Sequence, residues 1–304
     1  MLAATEQVNI IKKITDQPWK GFEVHFGDTK ITLMSSGIAV IILVAILLMV
    51  ILLPAARRYR LVPKGGRNAL ELILLFVRDM VAKPALHDKA YAYLSFLATL
   101  FVFVLGMNLA GLLPLEALSE LAAAAVPALH GKTIGGTPTA IIAVTGALAS
   151  ITLVMVLANG MRAAAVRFHH HHHWPMVICA VLSPILWIWG LSPRIPGITG
   201  IILKLPLTVI EFAGVLARCF ALMIRLFANM VSGHAMLAVF LMLIIQSGIA
   251  FAHEGSKHAF YVVPLAIAVS VAVSLMELLV AVIQAYVFTF LTAIFIGLAI
   301  EESH

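Results

Sequence analysis

Two long apolar runs near the C-terminus constrain the fold of this chain more than any other feature. Residues 199–252 and 259–299 are almost continuously apolar, whereas one membrane-crossing helix needs only about 20 such residues. Each run therefore forms a strongly tilted long helix, a bent helix, or two helices that are joined tightly. Shorter apolar segments at 31–53, 92–114 and 139–158 each match a single crossing.

The composition agrees with a membrane location. Hydrophobic residues make up 62% of the 304 residues and charged residues 11%, against about 25% charged residues in average globular chains. A soluble enzyme needs more polar surface than this, and a disordered chain contains fewer apolar residues. We predict an all-α integral membrane protein with about five to six membrane helices, including two long tilted membrane-embedded helices near the C-terminus.

The charges indicate how the chain is organised around the membrane. The formal net charge is +6, and basic residues such as Arg57, Arg58 and Arg60 cluster in short loops. This pattern is typical of membrane topology and gives no reason to expect nucleic-acid binding. We predict an N-terminal extramembrane segment over residues 1–30, without a cleavable signal or transit peptide, and a single membrane domain over residues 31–304.

Two further segments have their own patterns. Residues 67–83 carry apolar residues at helical spacing, with Arg78 and Lys83 on the polar side, which predicts an interfacial amphipathic helix. Residues 174–190 are apolar but short and contain two prolines. We interpret that segment as a shallow or re-entrant hairpin.

The chain has none of the common signatures of an enzyme. Cys179 and Cys219 both lie in apolar runs, which argues against a disulfide framework and against a zinc site built on thiolates. A nucleotide-binding glycine loop and a nucleophile–base arrangement are both missing from the sequence. We therefore expect a non-catalytic chain that needs no cofactor.

Five consecutive histidines follow the third predicted span. They fit an affinity tag, a native polar loop, or a site that collects metal ions or protons, and the sequence leaves these three interpretations open. The residues are His169, His170, His171, His172 and His173.

Ionisable residues inside the two long apolar runs carry the functional argument. Arg225 has no carboxylate within four residues on either side, and its guanidinium stays charged at physiological pH. An arginine at the middle of a bilayer costs about 2.5–3.5 kcal/mol on insertion scales. Arg225 must therefore lie near a membrane surface or opposite a negative partner.

A titratable pair accompanies this arginine. His234 lies nine residues after Arg225, which places it on the opposite face of an unbroken helix. Glu277 lies in the second run, and Gln284 follows it two turns later on the same face. Imidazole exchanges protons near neutral pH, and burial brings the titration of a carboxyl group closer to that range, so these residues together indicate a proton path.

Other polar residues of the first run share one helix face. Glu211, Arg218 and Arg225 recur every seven residues, and Asn229 lies one turn beyond Arg225. This stripe fits either an ion-paired ladder that stabilises a tilted helix or a role in proton access.

Several segments resemble one known family. Arg225-Leu226-Phe227-Ala228-Asn229-Met230 and the following Val-Ser-Gly-His resemble the signature of subunit a of the rotary F-type ATP synthase. The segments around Val62-Pro63, Met107-Asn108-Leu109 and Thr137-Pro138-Thr139-Ala140 are similar to that family too, and so is Glu277 with Gln284. The resemblance extends over residues 24–300, in the family's order.

The resemblance implies a non-catalytic stator subunit that forms two aqueous half-channels for protons. It would face a rotating c-ring through an essential arginine, Arg225, and bind peripheral-stalk subunits of the b type and membrane lipids. His234 and Glu277 match the positions of one histidine and one acidic residue, Gln284 matches a glutamine near the arginine, and Glu211 and Asn229 match polar channel positions.

Two other interpretations remain open from the sequence. A proton-coupled secondary transporter would use Arg225 to bind an anionic substrate and Glu277 to carry the coupling proton, although such folds usually contain internal repeats that this chain lacks. In a purely structural membrane subunit, the buried charges would only set the helix register. For the synthase subunit we expect a bacterial plasma membrane, with the mitochondrial inner membrane as the alternative.

Overall fold

The computed structural model describes most of the chain, and nearly all of that part is helical. The described residues are 23–26, 29–32, 36–57, 66–113, 138–172, 184, 187, 198–254 and 259–301. The elements in chain order are strands β1 (Glu23–Phe26) and β2 (Thr29–Thr32), followed by helices α1 (Ser36–Arg57), α2 (Gly66–Phe76), α3 (Lys83–Leu86), α4 (Ala90–Leu112), α5 (Ile142–His172), α6 (Ile198–Glu254) and α7 (Ala259–Glu301). A π-helical turn (Val77–Ala82) joins α2 to α3, and 3-10 turns occupy His87–Lys89 and Pro138–Ala140.

Five helical stretches in the described residues are long and apolar enough to cross a membrane. They are Ser36–Pro54, Asn68–Leu112, Ile142–Val166, Lys204–Ile249 and Tyr261–Ile300. This confirms the predicted all-α integral membrane fold with about five to six membrane helices. Each of the two long apolar runs forms one uninterrupted helix, α6 or α7.

Two helix boundaries differ from the sequence prediction. Helix α1 begins at Ser36 rather than at residue 31, because β2 pairs antiparallel with β1 and places Ile31 opposite Val24. Helix α5 continues past residue 158 to His172. The backbone of His169–His172 is therefore helical rather than a loop, and the side chains of all five histidines lie outside the described residues.

The predicted interfacial segment is helical, with one buried side and one exposed side. Val77 and Val81 are fully buried, whereas Leu72 and Met80 are among its exposed apolar residues. Its position at the membrane surface stays a prediction. The predicted hairpin at 174–190 lies outside the described residues, except for Pro184 and Trp187.

The first of two compact units contains the described residues of 1–67, 101–144 and 225–286. Helix α1 packs closely on α4 in this unit, since a Cβ on Gly106 would lie 3.2 Å from Val44 Cγ1. The side chain of Asn108 in α4 donates a hydrogen bond from Nδ2 to the backbone oxygen of Ala281 in α7, at 3.2 Å.

The second unit contains the described residues of 68–100, 145–224 and 287–301. Polar side chains join its helices. Tyr93 Oη donates to Asn159 Oδ1 at 2.6 Å, and the hydroxyls of Thr152 and Thr292 lie 3.3 Å apart. Interhelical hydrogen bonds of this kind are common in membrane proteins, where water does not compete for the polar groups.

Exposed apolar side chains cover much of the surface of α1 and α7. Val50 in α1 is 63% exposed and Met276 in α7 is 67% exposed, and both lie among other exposed aliphatic residues. Large contiguous apolar surfaces mark contact with lipid or with a protein partner. The burial pattern therefore agrees with the membrane location.

Candidate functional site

Four polar side chains of the first unit meet in two pairs between α6 and α7. Asn229 pairs with Gln284, and His234 pairs with Glu277. The partner residue number rises along α6 as it falls along α7, so the two helices are antiparallel here. We call these four residues the polar seam.

Glu277 is the most unusual member of the polar seam. Its side chain is only 4% exposed, and His234 Nδ1 lies 3.4 Å from Oε1. A charge-assisted hydrogen bond is about 2.7–2.9 Å long, so this contact is too long to be one. Neither carboxyl oxygen has a hydrogen-bond partner among the described residues. A buried carboxyl group that accepts no hydrogen bond is poorly stabilised as a fixed anion.

The second pair forms a direct hydrogen bond. Asn229 Nδ2 donates to Gln284 Oε1 at 2.8 Å. Gln284 is buried, and its Nε2 has no acceptor within the described part of the chain. The polar seam therefore contains an unused donor on Gln284 as well as the unused acceptors on Glu277.

Arg225 lies on a different side of α6. The residue is exposed, whereas His234 contacts Glu277 of α7. This is the arrangement that the nine-residue separation predicts for an unbroken helix. Within the described ranges, the guanidinium of Arg225 takes part in no ion pair or hydrogen bond.

Among the described residues, the predicted stripe on α6 does not form an ion-paired ladder. Glu211 and Arg218 belong to the second unit and are partly exposed. Neither takes part in an ion pair with any residue that the structure describes. Residues seven apart lie about 10 Å apart along a helix axis, which exceeds the reach of a salt bridge in this geometry.

Two residues that the sequence analysis names only within family-like segments, and not as site residues, also contact the polar seam or one of its two helices. Asn108 is fully buried, and its Oδ1 has no partner among the described residues. An amide inside an apolar span is the signal that could have identified it. Gly233 lies directly against the Glu277 carboxyl group, and no pattern in the sequence points to that contact.

Nothing in the described residues supports a metal centre. They contain no group of three or more histidine, cysteine, aspartate or glutamate side chains that could hold a metal ion. The metal-site interpretation of the five histidines stays a prediction, because their side chains lie outside the described residues.

Comparisons with known proteins identify one family. The family model described as ATP synthase A chain matches residues 38–297. ATP synthase subunit a of Anaeromyxobacter dehalogenans is 31% identical over 284 residues, which cover 91% of this chain and 60% of the relative. The Myxococcus xanthus ATP synthase subunit a is 33% identical over 247 residues, which cover 81% of this chain and 65% of the relative.

A third relative gives the same result. The ATP synthase subunit a of Chloroherpeton thalassium is 31% identical over 243 residues, which cover 80% of this chain and 58% of the relative. The chain spans about 60% of the length of the curated relatives that it matches. Because the family model covers most of the chain and these relatives exceed 30% identity, the chain belongs to the ATP synthase A chain family.

Proposed function

We propose that this chain is the proton-translocating stator subunit of the Fo motor of an F-type ATP synthase. It forms two aqueous half-channels, faces a rotating c-ring through Arg225 and performs no catalysis itself. The observation that carries this proposal is the exposed position of Arg225 in a membrane helix, with no ion pair among the described residues.

The energetics of Arg225 favour a negative partner outside the chain. A fixed positive charge at the centre of a membrane costs about 2.5–3.5 kcal/mol on insertion scales. No carboxylate in the described residues lies close enough to offset that cost. Ala228 and Ser232 are exposed one and two turns farther along α6, and small side chains allow another helix to approach closely.

The polar seam supports a proton path to the ring. His234 is a group that exchanges protons near neutral pH, and carboxyl groups such as that of Glu277 act as general acids and bases. His234 Nδ1 lies 3.4 Å from Glu277 Oε1, and neither carboxyl oxygen of Glu277 has a hydrogen-bond partner among the described residues. Gln284 offers a buried donor without a partner in the described chain. Unpaired buried polar atoms are usually satisfied by internal water, which a proton path requires.

The proposed cycle follows from the cost of placing charge in lipid. A proton that passes His234 and Glu277 neutralises a ring carboxylate, and the neutral group can then move into the lipid phase. On arrival beside Arg225, the carboxyl group is stabilised in its ionised form and releases its proton into the second half-channel. The fixed charge of Arg225 also prevents protons from leaking directly between the half-channels.

The energy available from this cycle requires several protons for each ATP molecule. One charge that crosses 100 mV supplies about 2.3 kcal/mol. We propose coupling to protons rather than to sodium ions. We also propose contacts with b-type peripheral-stalk subunits and lipids, in a bacterial plasma membrane rather than a mitochondrial inner membrane.

A substitution at Arg225 tests the proposal. Arg225→Ala should abolish ATP-driven proton pumping in inside-out vesicles while the complex stays assembled. The matched control is Arg162→Ala, because Arg162 is also exposed on a membrane helix. Normal pumping by Arg225→Ala would remove Arg225 from the mechanism. Solute uptake by the isolated chain in liposomes would instead favour the transporter interpretation.

A further inference from the structure

The carboxyl group of Glu277 lies directly against the backbone of α6 at Gly233. A Cβ placed on Gly233 would lie 2.7 Å from Oε1, 3.0 Å from Cδ and 3.2 Å from Cγ of Glu277. Cβ atoms in proteins essentially never lie within 3.0 Å of a heavy atom from a residue that is not a neighbour in the chain. Any side chain at position 233 would therefore displace the Glu277 carboxyl group.

The contact involves three successive atoms of the Glu277 side chain. A rotation of the carboxyl group alone would move the oxygen away but leave Cδ at 3.0 Å and Cγ at 3.2 Å, which is tighter than nine in ten Cβ contacts. The whole side chain would have to shift inside a buried site. His234 is the next residue along α6, and its Nδ1 lies 3.4 Å from Glu277 Oε1. Such a shift would therefore alter the gap that a proton has to cross.

Two other glycines of the same helix lack a contact of this kind. A Cβ placed on Gly214 or Gly248 would meet no heavy atom within 4 Å. The requirement for glycine is thus a local property of position 233, set by Glu277. These two positions also provide matched controls on the same helix.

We propose that Gly233 is a positioning residue, whose missing side chain holds the Glu277 carboxyl group within proton-exchange distance of His234. The inference rests on the proposed function, because it assumes that Glu277 carries protons. Gly233 has no titratable side chain, so it acts only by leaving space for the side chain of Glu277.

The first test compares two glycine-to-alanine variants of the intact ATP synthase complex. Gly233→Ala should lower ATP-driven proton pumping in inside-out vesicles by about tenfold or more, because a misplacement of about 1 Å can cost that much in a positioned reaction. Gly248→Ala should pump like the wild type, since alanine fits the open space there and favours the helix. Pumping is normalised to the amount of assembled complex.

A compensating substitution separates positioning from a general packing defect. Glu277→Asp shortens the side chain by one carbon–carbon bond, about 1.5 Å. In Gly233→Ala, Oε1 of Glu277 would lie 2.7 Å from the alanine Cβ, which is 0.7 Å less than the 3.4 Å lower bound of ordinary contact. The double variant should therefore pump faster than Gly233→Ala, whereas Glu277→Asp alone should pump more slowly than the wild type. If Gly233→Ala impairs assembly, the double variant should restore it.

The outcomes distinguish this inference from the proposed function. Normal pumping by Gly233→Ala, together with poor pumping by Glu277→Gln, would overturn the positioning role alone. The positioning role would also be overturned if Gly233→Ala impairs pumping or assembly and adding Glu277→Asp does not relieve that defect. Normal pumping by both Gly233→Ala and Glu277→Gln would instead contradict the proposed proton path.

Discussion

Replacing Glu277 with glutamine tests the proton-exchanging pair of the polar seam. Glutamine keeps the shape of the side chain but neither binds nor releases a proton at physiological pH. At 3.4 Å and an effective dielectric constant of about 20, an imidazolium and a carboxylate attract each other by about 5 kcal/mol. The cost of burying the two charges offsets much of that attraction.

The expected effect on proton flux is therefore set by acid–base chemistry. A positioned acid or base contributes a factor of about 10² to 10⁴, so Glu277→Gln should reduce proton flux about 100-fold. The flux can be measured as passive proton entry into vesicles from which the soluble ATPase head has been removed. His234→Ala should slow the flux as well.

A serine on the same helix provides the control. Ser274 is exposed about one turn before Glu277, and its Oγ donates to the backbone oxygen of Ser270 at 2.9 Å. Ser274→Ala should leave proton flux unchanged. Flux at the wild-type level in Glu277→Gln would show that protons cross the membrane by another route and would refute the reasoning.

Two other contacts lead to separate predictions. The Asn229–Gln284 hydrogen bond joins α6 to α7. A double-mutant cycle with alanine at both positions should therefore give a coupling energy of about 0.6–1.7 kcal/mol in thermal unfolding of the complex. If the effects of the two substitutions are additive, the hydrogen bond contributes nothing to stability. Gly160→Val should lower the melting temperature because the Trp187 indole occupies the space that a Cβ needs, whereas Gly214→Val should have little effect because the space there is open. Equal melting temperatures for the two glycine variants would contradict the contact.

Apolar length predicted the two long helices closely. The apolar runs predicted helices over 199–252 and 259–299, and the structure has helices over Ile198–Glu254 and Ala259–Glu301. Uninterrupted hydrophobicity determines the extent of a membrane helix, because unpaired backbone groups are too costly in lipid for the helix to break there. The start of α1 was less predictable, since residues 31 and 32 are paired in a hairpin whose partner strand lies outside the apolar run.

Helical periodicity also predicted part of the candidate site. The nine-residue separation of Arg225 and His234 placed them on opposite faces, and the structure has Arg225 exposed while His234 contacts α7. Periodicity contains no information about which residue of another helix lies opposite. The contacts of Gly233 with Glu277 and of Asn108 with Ala281 join residues far apart in sequence, and they required the folded structure.

The central claim is that the free charge of Arg225 faces an acidic group on a separate, moving subunit. Disulfide cross-linking tests this directly, with Cys179 and Cys219 replaced by serine and a cysteine introduced beside the ring carboxylate. Ala228→Cys, on the exposed side of α6 near Arg225, should cross-link to the ring and stop ATP-driven pumping, whereas Leu226→Cys should not, because Leu226 is fully buried. Failure of Ala228→Cys to cross-link in a fully assembled, active complex would contradict the account.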